Sequence, residues 1–195
     1  MSNNPWQTIS SKNPPQFNLE MTDDALVSFG APVAPNALSF NDTGYMPVTA
    51  LTIGSNLQQL TGKFDGLFIE YSGKGIQHFA NNTPTTADYT SLHYDLVGYK
   101  GTPTFGHAAN GAPIVSDAGH LTILAQGDLL HGQLGFNSVG GIAGEIDATF
   151  RVKGDVTGTL TLNVQHSAGD IMPTATGFTL DHGFLQATYI PLIVS

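Results

Sequence analysis

Residues 144–166 read GEIDATFRVKGDVTGTLTLNVQH. Ile146, Ala148, Phe150 and Val152 alternate with Glu145, Asp147, Thr149 and Arg151. After Lys153, Gly154 and Asp155 the alternation returns, with Leu160, Leu162 and Val164 set against Thr159, Thr161, Asn163 and Gln165. A period of two on both sides of a Gly-containing turn predicts an antiparallel hairpin with one dry and one wet face.

Outward from this hairpin, shorter versions of the pattern occur at 25–29, 37–40, 48–53, 63–71, 91–99, 121–126, 129–136, 174–180 and 184–190. Turn formers separate them at 30–32, 41–44, 72–75, 127–128 and 181–183. Residues 76–90 read as polar and irregular, 100–119 as the longest loop, and 55–60 as a single helical turn. The sum is about 9–12 short strands with turn signals every ten or so residues. The expected fold is all-β, a single antiparallel β-sandwich or closed β-barrel, without an internal repeat. Residues 1–20 carry Pro5, Pro14 and Pro15 and read as an extended Pro/Asn-rich arm, leaving 21–195 as one domain. Trp6, Ile9, Phe17 and Leu19 give that arm an apolar docking face, suited to its own sheet or to self-association with a neighbour's.

The chain has 195 residues, with 15 acidic and 6 basic side chains and a net charge of −9. Its basic residues are scattered, so no patch can track a phosphate backbone; nucleic acid is excluded as a partner. Charged residues make up only 11 %. Polarity therefore comes from Thr, Ser, Asn, Gln and Gly, which suits the wet faces of sheets. There are no cysteines, which removes disulfides, thiolate metal sites and thiol catalysis. No apolar run is long enough for a membrane span, and the N-terminal stretch lacks a signal-peptide pattern. The composition points to an exported protein, extracellular or periplasmic, read in a mature form.

No motif assigns a reaction, and no catalytic residue and no cofactor are expected. None of the seven histidines lies in a metal-binding spacing, so no metal is expected; the alternative pair is His93 and Asp95 on one strand face. Glu145 and Asp147 share a face, but it is the wet one, so a glycosidase pair is disfavoured. Asp42-Thr43-Gly44 and Asp117-Ala118-Gly119 read as turns rather than calcium loops. The glycines of 140–144 precede a strand and cannot cradle phosphate, which needs a helix behind them.

The segment 121–150, LTILAQGDLLHGQLGFNSVGGIAGEIDATF, resembles exported all-β bacterial proteins of the PEP-CTERM class, some of which carry a similar strand–Gly–Asp–strand passage. The class's Pro-Glu-Pro signal, apolar helix and basic tail have no counterpart in the closing YIPLIVS. The resemblance implies a surface or matrix role and transfers no catalytic residue. Two functions are expected to compete. One is a non-enzymatic surface protein acting in adhesion, assembly or matrix contact. The other is a β-barrel holding a small apolar ligand, as a carrier or an isomerase- or cyclase-type enzyme. A glycan is a third expectation, bound through exposed Tyr45, Tyr71, Tyr89 or Tyr99. The reading leans away from an enzyme, and the interior decides: a solid core supports the first, a cavity of several hundred Å³ the second.

Overall fold

A computed structural model describes residues 5–59 and 63–192. The described residues form one short helix, α1 (Pro5–Ile9), and twelve strands: β1 (Phe17–Met21), β2 (Asp24–Ala34), β3 (Ala37–Ile53), β4 (Asn56–Leu57), β5 (Gly66–Ala80), β6 (Thr83–His107), β7 (Pro113–Phe136), β8 (Ile142–Val152), β9 (Asp155–His166), β10 (Ile171–Pro173), β11 (Gly177–Asp181) and β12 (Phe184–Pro191). Eight of them, in the order β1-β12-β9-β8-β7-β6-β5-β3, form a ring of antiparallel neighbours, because β1 also pairs with β3. The fold is a closed β-barrel, not a sandwich.

The hairpin of 144–166 forms with the expected faces. Lys153 and Gly154 turn it with φ of 54° and 88°, the left-handed pair that a two-residue turn between right-twisted strands requires. Ile146, Ala148, Phe150, Val152, Leu160, Leu162 and Val164 are all buried in the barrel. Asn81 and Asn82, with φ of 51° and 62°, turn β5 into β6 in the same way. The stretch 76–90 is therefore a hairpin, its register shifted between Gln77 and Phe79.

Four expected turns lie inside strands, that of 30–32 in β2. Residues 41–44 run through the middle of β3, 72–75 through β5, and Gly127-Asp128 through β7. At 127 the Tyr94 ring and the Thr149 carbonyl occupy the place of a side chain, so glycine serves close approach there rather than chain reversal. The strands are consequently longer than expected, 25 residues in β6 and 24 in β7. The expected loop of 100–119 is their outer end, a hairpin with its tip at Ala108–Ala112. It lies over the outside of the wall, where Phe105 packs on Tyr45, Phe68 and Tyr99 at 5.5–6.5 Å. Of the expected helical turn at 55–60, the described part is β4, paired with β3; residues 60–62 lie outside the described chain.

The reading of 1–20 as one extended arm is corrected at its start, where Pro5–Ile9 is a helix; Phe17–Glu20 is extended as expected and pairs with the protein's own β3 and β12. Pro5 opens a helix instead of blocking one, since the first helical N–H needs no partner. Trp6 and Ile9 are buried, with Trp6 edge-on to Phe64 at 5.9 Å. Phe17 and Leu19 lie on β1, a wall strand, and are fully buried in their own chain. Residues 5–20 thus belong to the barrel, as its plug and its closing strand.

Candidate functional site

β1 and β2 run end to end along β3, from the Phe17–Ile53 pair to the Ala34–Ala37 pair. β12 and β11 run end to end along their other side. Both composite strands break at one level, at Thr22–Asp23 and at His182–Gly183, where the His182 N–H donates to the Asp23 carbonyl at 3.0 Å. β9 ends beside them at His166. A chain that breaks out of its sheet can turn a polar side chain inward. Asp23 and His166 both do, at 2 % exposure. A side chain at 183 would collide with the His166 ring, so glycine makes room for the imidazole.

The rest of the array comes from regular strands. Asp42 occupies an inward position of β3 between Phe40 and Gly44 and is 2 % exposed. Tyr71, the β5 partner of Gly44, lies over that glycine: a Cβ there would be 2.8 Å from its ring. The Tyr71 hydroxyl donates to Asp23 at 3.2 Å and lies 3.4 Å from Asp42 Oδ1. The Tyr89 hydroxyl donates to Asp42 Oδ2. His166 Nε2 is 3.4 Å from Asp23 Oδ2. The five side chains form one line across the barrel: His166, Asp23, Tyr71, Asp42, Tyr89.

Burial disfavours charge in this line. It pushes the Asp42 carboxyl from 3.8 up to about 7, and the neighbouring Asp23 charge pushes the same way, against the donated hydrogen bonds of Tyr89 and Tyr71. Burial raises Asp23 too, opposed by His166 and Tyr71. Both tyrosines are held well above the ordinary phenol range, first by burial and then by the carboxylates, so they remain donors. The array can hold a proton near neutral pH. The void adjoining it inside the barrel is ≈ 30 Å³, with voids of ≈ 20 Å³ on either side, while Tyr89 at its end also lines the groove on the outer face.

On the outer face, Asn41, Thr43, Ser72, Lys74, Thr90 and His93 line an open groove of ≈ 640 Å³ across β3, β5 and β6. His93 places Nδ1 2.9 Å from Asp128 Oδ1 and Nε2 3.6 Å from Asp95 Oδ1. The pair read from the sequence is thus adjacent, but Asp128, which also binds Arg151, is the nearer partner of His93. Arg151 and His93 hold the Asp128 carboxyl below its usual range, His93 foremost. Glu145 is exposed, and Asp147 accepts a hydrogen bond from Thr161 at 2.5 Å, as a wet face implies. Asp117 is exposed at a left-handed kink with φ of 57°.

Sequence reading missed Asp23 and His166, took Asp42 for a turn residue and expected Tyr71 and Tyr89 at the surface, whereas their hydroxyls point to the buried carboxylates of Asp23 and Asp42. A signal existed: Asp42 is in phase with Phe40 and Met46, and His166 with Leu160, Leu162 and Val164. No family model, curated protein or solved structure matches the chain.

Proposed function

We propose that this is a non-enzymatic, exported or cell-surface β-barrel that acts through its outer face, in adhesion, assembly or matrix contact. The filled interior supports this reading. Small-molecule sites need roughly 300–1,000 Å³, and the enclosed voids measure ≈ 20–30 Å³. The low charge and the outer groove, where Asn41, Thr43, Ser72 and Thr90 lie beside Tyr89, Leu129 and Leu130, suit a partner with both hydroxyl groups and apolar faces, such as a glycan. Native mass spectrometry of untagged protein tests the first half of the proposal: the bare chain mass is expected, and a stoichiometric lipophile overturns it. Retention on immobilised polysaccharides tests the second. Ser91→Trp, which fills the groove from its rim, is expected to abolish retention while leaving the melting temperature unchanged.

The buried acid–base line favours a second reading, a barrel that opens to admit a small apolar ligand as carrier or isomerase- or cyclase-type enzyme. A carboxyl near 7 between two phenols is a usable proton donor. Titration with a fluorescent apolar probe separates the readings. Saturable binding lost in Leu134→Trp, which fills the void, supports the second and overturns the first.

A further inference from the structure

The β6–β7 hairpin brings His107 onto the outside of the β2–β11 pair. There Asp24 and Asp181 are direct cross-strand partners. Two carboxylates opposite each other repel, and such pairs destabilise a sheet unless a cation joins them. His107 arrives in that position. Its Nε2 is 2.9 Å from the Ala25 carbonyl oxygen. A carbonyl can only accept, so Nε2 carries a hydrogen and donates. In the neutral ring Nδ1 then presents a lone pair, and it faces Asp181 Oδ1 at 2.9 Å. Two acceptors do not remain at that distance without a positive charge between or beside them.

We propose that Asp24, His107 and Asp181 form a divalent metal site, with zinc the expected occupant. The ligand atoms of the three residues all lie within 4.8 Å of one another. Zinc binds imidazole nitrogen and carboxylate oxygen at about 2.0–2.2 Å, which in a tetrahedron sets neighbouring ligands roughly 3.4 Å apart. The His107–Asp181 pair, at 2.9 Å, must open slightly to admit the ion. The hydrogen bond from Nε2 to a backbone carbonyl is the outer support that metal-bound histidines use to fix their tautomer. None of the three side chains is fully exposed, with His107 at 15 % and Asp181 at 31 %. Three protein ligands leave a position for water. The ion would staple the hairpin to β2 and β11, just outside the wall from Asp23.

The test uses untagged full-length protein stripped with a chelator and titrated with ZnCl₂ by calorimetry. One zinc per chain, a higher melting temperature, and an affinity lowered at least about tenfold in His107→Ala but unchanged in His93→Ala are expected. If His107→Ala does not fold, Mn²⁺ added to the wild type provides the reading. Broadening of the Ala25, His107 and Asp181 amide signals supports the site. Broadening centred on His93 and Asp128 overturns it. Absence of zinc binding, with both His107 nitrogens protonated by ¹⁵N shift, also overturns it, the cluster then being an imidazolium ion pair.

Discussion

At the end of the barrel near α1, rings meet rings: Phe17 stacks on Tyr189 at 4.9 Å, Phe150 closes on both, and Trp6 meets Phe64. Toward the other end, at the level where the composite strands break, Asp23, Asp42 and His166 are buried among voids. Both ends exclude water. The first gains by removing apolar surface, a contribution that does not depend on proton activity. The second is stable only as far as its protons are in place. One continuous wall therefore encloses two interiors with different responses to the same perturbation.

The largest expected effect lies at the ring end. Phe150→Ala removes a fully buried side chain that contacts two other rings, and a loss of about 3–5 kcal/mol is expected in denaturant unfolding at any pH. A strong pH dependence of that loss would merge the two interiors into one.

Next is the polar end. The folded Asp42 value of about 7 lies above the ordinary 3.8, so the folded state favours the protonated form. Its stabilising contribution is fully present below pH 3.8 and is lost as the pH rises through about 7, a difference of about 4 kcal/mol. The wild type is expected to melt lower at pH 8 than at pH 5. Asp42→Asn is expected to flatten that difference. A variant with the same slope as wild type would transfer the effect to another group.

Gly183→Ala has a smaller effect, because the His166 ring must move to admit a methyl; about 1–3 kcal/mol of overpacking is expected, with the loss confined to the polar end. Exchange of the Asp23 and Tyr71 amides should quicken while that of Phe17 and Tyr189 does not. The smallest effect is at the surface. Lys12 and Asp155 pair at 2.9 Å over the ring end but are 70 % and 59 % exposed, so Lys12→Ala should shift stability by no more than about 0.5 kcal/mol. A larger change would mean that surface charge, rather than the interior, distinguishes the ends.

The ring end was legible because its inward residues are apolar. Ile146, Ala148, Phe150 and Val152 keep a period of two that nothing interrupts. The polar end was not, because it violates the pattern that strand reading depends on. Asp42, Thr43 and Gly44 are turn formers by chemistry, yet they continue β3 with Asp42 inward, its charge disfavoured by burial and its oxygens held by two phenols. Asp23 and His166 lie where strands break, and no local spacing joins them. Proline misled at the other terminus for a related reason. It bars helix interiors but not helix starts, and Pro5 stands at a start.

The wall is closed by β1, which hydrogen-bonds to β3 on one side and β12 on the other. Across that last seam the Thr188 hydroxyl donates to Asn18 at 2.9 Å, a contact between residues 170 apart. During synthesis, β1 leaves the ribosome long before its second partner. Until β12 arrives, the nascent chain is an open sheet with two bare edges and an uncovered apolar face. Loop closure on this scale makes the final docking step slow. In the cell, the most dangerous interval for this protein is therefore the time taken to translate the hairpins between its first strand and its last, when any other exposed strand can take the place reserved for β12.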